Sequence, residues 1–288
     1  MIRAATRIIV LTTGLLLAGA AFAQERGDDL PRKSPNASVS QAVGVTEVTV
    51  TYGRPSVRGR DIFGGLVPYG EVWRLGANEA TTITFSDDVR VQGVPLAAGT
   101  YALFALPRPG FWRFIFNETE NQWGAYEYDA SNDALRVPTR PREAERHWEM
   151  MTFTFEEVTS ESADLVMHWN TLNVSLSIST DTDAIVRRQA RSRVPEAEDW
   201  QMPYRYAQYA LEQGIYPEEA IGWAGRSVTL GENYRNLAVL ARLYAQVGNH
   251  AEAVDVGERA VRAGQAMQQQ PGDLSALRQD VAEWKSER

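Results

Sequence analysis

The sequence predicts a mainly β N-terminal domain, an antiparallel sandwich or barrel, followed by an α-helical C-terminal region. Short apolar/polar alternations separated by turn residues recur between Val45 and Ser179. From Tyr204 onward the apolar residues recur at helical spacing instead. Between these regions the charged stretch 181–200, with Pro195, reads as a linker holding a single helical turn.

Residues 1–23 have the three parts of a secretory signal: charged Arg3 and Arg7, an apolar run from Ile8 to Ala18, and small residues ending at Ala23. Cleavage after Ala23 predicts a periplasmic or secreted protein. The apolar run is short for a bilayer span and no later segment is apolar enough, so no membrane span is expected in the mature chain. Removing this segment takes away two arginines and no acid, leaving 27 basic against 37 acidic side chains, net −10. That balance argues against a nucleic-acid partner. There is no cysteine, which excludes disulfides, thiolate chemistry and cysteine-held metals. His147, His168 and His250 are far apart in unlike contexts, so neither a metal site nor a cofactor is expected.

Residues 24–33 are polar and without periodicity, a flexible arm. The β domain spans 34–180. In VTEVTVTY the residues Val48, Val50 and Tyr52 share one face and Glu47, Thr49 and Thr51 the other, a half-buried strand. Thr81–Phe85 and Val89–Val91 flank the turn Ser86-Asp87-Asp88, and Gln92-Gly93 and Ala97-Ala98-Gly99 turn the chain around Val94–Leu96. Thr100–Ala105 and Phe111–Phe116 form a hairpin, with Trp112, Phe114 and Phe116 on one face. Thr152–Glu157, Ala163–Trp169 and Leu172–Ser179 complete the set, the last pointing Leu172, Val174, Leu176 and Ile178 inward. Many short strands without an intervening helix predict antiparallel pairing.

In the region 201–288, amphipathic segments run Tyr204–Gln213, Pro217–Thr229, Tyr234–Val247 and Ala251–Ala263, with a closing helix Leu274–Trp284. Their loops hold Gly214, Gly231 and Gly248. In NLAVLARLYAQVGNHAEAVDVGERAV, Leu237, Leu240, Ala241 and Tyr244 share a face, and the small residues Ala253 and Ala260 allow close helix approach. This unit resembles a tetratricopeptide repeat. Gly214 precedes Gly248 by 34 residues and Ala220 precedes Ala253 by 33, an earlier, degraded copy. The resemblance implies either a surface for a protein partner or a packing appendage.

The segment RPSVRGRDIFGGLVPYGEVWRLGANEATT, residues 54–82, fits no regular element. It concentrates Arg54, Arg58, Arg60, Arg74, Asn78 and Glu79 among aromatics and five glycines. Arg74, Asn78 and Glu79 share a glycine-broken turn; the arginine fork beside a carboxylate and a carboxamide suits a carboxylate, a sugar or a peptide end. Alternatively, Arg74 and Glu79 pair to pin the loop while Asn78 caps a turn. Arg54, Arg58 and Arg60 form either an anion-binding edge or a solvated face. Trp123 and Tyr126, with Gly124 and Tyr128, follow Asn117, as platforms for a sugar ring or a partner, or as plugs for the end of the sandwich. No G-x-S-x-G elbow, phosphate-cradling loop, H-E-x-x-H or dinucleotide glycine pattern is present. A hydrolase would need Glu79 to meet Glu118 or Asp129, or His168 to join a cleft.

The strings through 34–85, GTYALFALP, FIFN and NQWGAYEYD closely resemble the family called domain of unknown function 2911, over about residues 34–180. Some of its members carry a similar helical tail. The resemblance implies an exported bacterial β-rich domain and brings no catalytic residue. Two readings of function follow: a binding or protein-interaction module with a polar site in 54–82, or a cell-envelope hydrolase acting on sugar or peptide through Glu79 and a second carboxylate.

Overall fold

The computed structural model describes residues 30–287; the expected signal segment, its cleavage point and most of the arm 24–33 lie outside them. Among the described residues ten antiparallel strands form two sheets, and no closed barrel is present. The first sheet contains β1 (Asn36–Val43), β2 (Thr46–Gly53), β3 (Thr81–Phe85), β6 (Gly99–Arg108), β7 (Phe111–Asn117) and β8 (Asp133–Thr139), in the order β1-β2-β3-β6-β7-β8. The second contains β4 (Val89–Val91), β5 (Val94–Leu96), β9 (Arg142–Glu156) and β10 (Ser162–Ser179), ordered β5-β4-β10-β9.

The core lies between the sheets. Val48, Val50 and Tyr52 of β2 and Trp112, Phe114 and Phe116 of β7 line the inner face of the first sheet, and the second sheet contributes Met151, Phe153, Val174, Leu176 and Ile178. Strand β6 is buried continuously from Tyr101 to Ala105, because its outer face is covered as well. Ala102, Phe104 and Ile115 meet Val72, Ala125 and Tyr128 there, so the 119–128 loop forms a lid over the back of the first sheet. A strand buried on both faces loses the period of two.

Strand β10 is longer than the two separate runs expected. Its register with β9 slips around Asn170, which is left-handed at φ 56°. That bulge changes the parity of the strand: Leu165, Met167 and Trp169 point into the core before it, Val174, Leu176 and Ile178 after it. Strands β1 and β8 have no counterpart in the expected set.

Six helices follow: α1 (Thr182–Arg193), α2 (Gln201–Gln213), α3 (Pro217–Gly231), α4 (Tyr234–Gln246), α5 (His250–Gln265) and α6 (Leu274–Ser286). Each of α2 to α5 packs on its successor, and α2 also meets α4. Small residues hold them close, with Ala207, Ala210, Ala220, Ala241, Ala253 and Ala260 all buried in the shared core. Helix α1 occupies the expected linker, which is three turns of helix and not one. Asp181 caps it, and Ile185, Val186 and Ala190 form its buried stripe. Arg187 and Arg191 both reach Glu219 of α3, and Arg188 reaches Asp87 of the β3–β4 turn. Gly44 sits where this junction touches the sandwich; a Cβ there would lie 2.0 Å from Thr182 Oγ1.

Candidate functional site

The segment 54–82 runs along the ends of both sheets, and its arginines divide by what they reach. Arg54 donates from Nε to the Met151 carbonyl and from Nη2 to Thr152 Oγ1. Arg58 donates to the Lys33 carbonyl, and Arg60 to those of Val57 and Ser56. These three guanidiniums are therefore engaged, through the donors named, in fastening the loop. Ser56 bridges Met150 in antiparallel fashion, so this stretch covers part of the free edge of β9.

The turn from Trp73 to Thr81 is rigid. Trp73 pairs with Ala105 through two backbone hydrogen bonds and puts its ring in the core, stacked on Trp169 at 5.7 Å. Its Nε1 donates to the Gly76 carbonyl, and Thr81 Oγ1 donates to that of Leu75. Leu75, fully buried at φ 53°, and Asn78 at φ 65° are both left-handed without being glycine. Such conformations cost about 1–3 kcal/mol each and persist only where the surroundings enforce them.

The same turn meets the 119–128 loop. Glu79 bridges Trp123, the Ala80 N–H donates to the Gln122 carbonyl, and the Gly124 N–H to that of Asn78. The two stretches singled out in the sequence are thus one surface. Within it Tyr128 is an anchor: it packs edge-on against Phe104 and donates to Asp133, and burial with that bond pushes its hydroxyl up to about 12. Trp123 and Tyr126 are instead 58% and 85% exposed. Gly124, at φ 70°, leaves room for the Tyr126 ring to fold back against the backbone.

Arg74 does not pair with Glu79. The buried Glu79 carboxylate takes Arg32, whose Nη1 lies 2.9 Å from both oxygens. Arg32 belongs to the expected flexible arm, and the neighbouring Ser34 carbonyl accepts from Asn78 Nδ2. The pinning role foreseen for Arg74 is performed by Arg32, a residue that only tertiary structure places here. Next to Trp73, which faces the core, Arg74 lies on the side of Val72 and the covering loop. It is half-buried, and its buried Nε has no hydrogen-bond partner. Burial pushes the Arg74 guanidinium below its ordinary range, with Tyr126 opposing that shift.

Glu79 held by Arg32 makes a poor partner for a second carboxylate, and Asp129 is occupied as the cap of a short 3₁₀ turn. The Glu79 carboxylate of the hydrolase reading is thus the ion-pair partner of Arg32, and one oxygen of Asp129 accepts from the Ser131 N–H. Among the described residues no three His, Asp or Glu side chains gather as metal ligands.

The chain matches the family described as "Protein of unknown function (DUF2911)" over residues 34–178, and it belongs to that family. Comparison with curated proteins and with solved structures gave no match.

Proposed function

We propose that this member of the DUF2911 family is an exported binding module whose β domain takes a small carboxylate-bearing ligand at Arg74, with Trp123 and Tyr126 as its stacking walls. The observation that carries the reading is Arg74 itself. Its guanidinium is destabilised by burial while the residue stays partly exposed, and a ligand carboxylate at the accessible side would offset that cost. Two exposed aromatics on the adjoining loop supply apolar contact to the rest of such a ligand. The overdetermined turn beneath them fixes the geometry before binding.

The export reading is supported by the tripartite pattern of residues 1–23. For the helical region, the 34-residue offset between Gly214 and Gly248, both left-handed and each following a helix, supports a tetratricopeptide-like hairpin pair serving a protein partner.

A thermal-shift series with acetate, uronic acids, amino acids and short peptides, against neutral sugars, tests the reading. A ligand at a hundred times its dissociation constant adds about 2.7 kcal/mol to the native state. Arg74→Met should melt at or above the wild-type temperature, since it removes a buried donor without a partner, yet lose the ligand shift. Trp123→Ala should weaken the shift without changing the melting point. A blank for every carboxylate, or an Arg74→Met variant that fails to fold, would refute the assignment.

A further inference from the structure

A second constellation lies on the opposite side of the sandwich, on the outer face of the four-stranded sheet. We propose that Thr154, His168 and Asn173 form a nucleophile–base–orienter relay for acyl transfer from an ester. The three residues come together because of the bulge at Asn170. In an uninterrupted strand His168 and Asn173, five residues apart, would point to opposite faces. The parity change turns both outward, and Thr154 of β9 joins them, its neighbours Phe153 and Met151 being in the core.

The distances fit the roles. Thr154 Oγ1 is 2.8 Å from His168 Nε2, and His168 Nδ1 is 2.7 Å from Asn173 Oδ1. Because Asn173 Oδ1 accepts only, Nδ1 carries the proton in the neutral ring, leaving the Nε2 lone pair toward the threonine. The imidazole is 5% exposed and stacks on Trp148 at 4.4 Å, which fixes its plane. Glu156 is the competing partner: its Oε1 accepts from Thr154 at 3.0 Å and lies 3.2 Å from Nε2. Its side chain is half-exposed.

His168 and Asn173 line a cleft of about 590 Å³ beside Thr154, together with Arg142, Arg146 and the acids Glu143, Glu145, Glu156 and Asp164. Arg146 lies over the Trp148 ring at 4.0 Å. Against those four carboxylates, the two guanidiniums are the groups of this cleft that can meet a developing oxyanion. In the reaction, Thr154 Oγ bonds to the ester carbonyl carbon as its proton passes to His168 Nε2. The tetrahedral adduct then expels the alkoxide, which takes that proton from Nε2. Water repeats the sequence on the acyl-threonine, giving the carboxylic acid and restoring the hydroxyl.

The test uses the full chain, a fluorophosphonate probe with peptide mapping, and p-nitrophenyl acetate turnover. Labelling is expected at Thr154, rising in Thr154→Ser, where the nucleophile is less hindered, and in Glu156→Gln, where the competing acceptor is weakened. Thr154→Val and His168→Gln should lose labelling by about a hundredfold or more, the share of a general base. Asn173→Ala, a change in a positioning residue, should shift the pH profile of labelling as well as its rate. Absence of label at residue 154 in both the wild type and a folded Thr154→Ser variant would overturn the proposal. Equal labelling in His168→Gln would do so too.

Discussion

Replacing Gly53 by alanine should damage the domain through one contact. Gly53 ends β2, and its carbonyl accepts from the Ala77 N–H at 3.1 Å. A Cβ at this position would lie 2.0 Å from the Ala77 carbonyl oxygen and 2.8 Å from its carbon. Ordinary contact begins more than 1 Å further out, so by roughly that distance something must move. The obstacle is backbone within the turn 73–81, fastened by Trp73 Nε1 and Thr81 Oγ1 and left-handed at two positions, and it has no slack. Overpacking costs about 1–3 kcal/mol, and the strained or broken Ala77–Gly53 hydrogen bond about 1 more. At about 2–4 °C per kcal/mol for a domain of this size, the melting temperature should fall by roughly 4–16 °C. Circular dichroism melts of the two proteins read this directly, and the carboxylate-induced shift should be lost along with it because Arg74 rides on the same turn. A Gly53→Ala protein melting within about 2 °C of wild type would show that the turn yields, and the claim of a preorganised site would fall.

Three further outcomes follow from the same coordinates. Gly222 is exposed within α3, and nothing lies within 4 Å of its missing Cβ; Gly222→Ala should stabilise the helical region by about 0.5–1 kcal/mol in urea unfolding. Arg191 and Arg187 hold the Glu219 carboxyl down to about 2 from its ordinary value near 4.5. A carboxyl lowered on folding stabilises above its unfolded value, so this contribution should fade as pH falls from about 4.5 to 2. With 27% of the Glu219 side chain in solvent, we expect about 1 kcal/mol, seen as a melting-temperature difference between wild type and Glu219→Gln that closes on acidification. Tyr128→Phe should lower stability by about 1 kcal/mol, whereas Tyr126→Phe should leave the melt unchanged, since only Tyr128 donates to Asp133.

Much of the fold was legible because its signals are local. The period of two in β2 and β7 and the helical stripes of α2 to α5 arise from residues a few positions apart. Strands β1 and β8 are harder to read: β1 is an edge strand whose inward Ala37 and Val39 are small, and β8, though Leu135, Val137 and Thr139 alternate inward, contains Pro138, which argues against a strand. In α1, Thr182, Ile185, Val186 and Ala190 have helical spacing, but four arginines and Pro195 nearby masked it. The run of β10 was split because the bulge at Asn170 resets the inward phase. The same bulge hid the His168–Asn173 contact, which no reading of an ideal strand would allow. Composition marked the 54–82 and 117–128 stretches separately, both being aromatic, glycine-containing and polar, but their contact is made only in the tertiary structure.

What no local pattern could supply is the division of labour among the arginines. Arg54, Arg58, Arg60 and Arg74 look alike in a polar loop, and their difference lies in what distant backbone comes within reach. Three find carbonyls, of Met151, Lys33, Val57 and Ser56, and are spent on holding the loop. The Glu79 carboxylate, at the far end of the same turn, is claimed by Arg32, delivered from 47 residues away. Arg74 is thus left with a buried Nε that nothing accepts, on the most tightly determined turn of the domain. Strain at Leu75 and Asn78 and a donor without an acceptor both cost stability, and both fall on the surface where two large aromatics stay in solvent. A methionine would relieve the cost at Arg74, whereas Leu75 offsets its strain by burial in the core and Asn78 by its bond to the Ser34 carbonyl. Their coincidence at one place is the physical argument that this turn is shaped for something other than the fold.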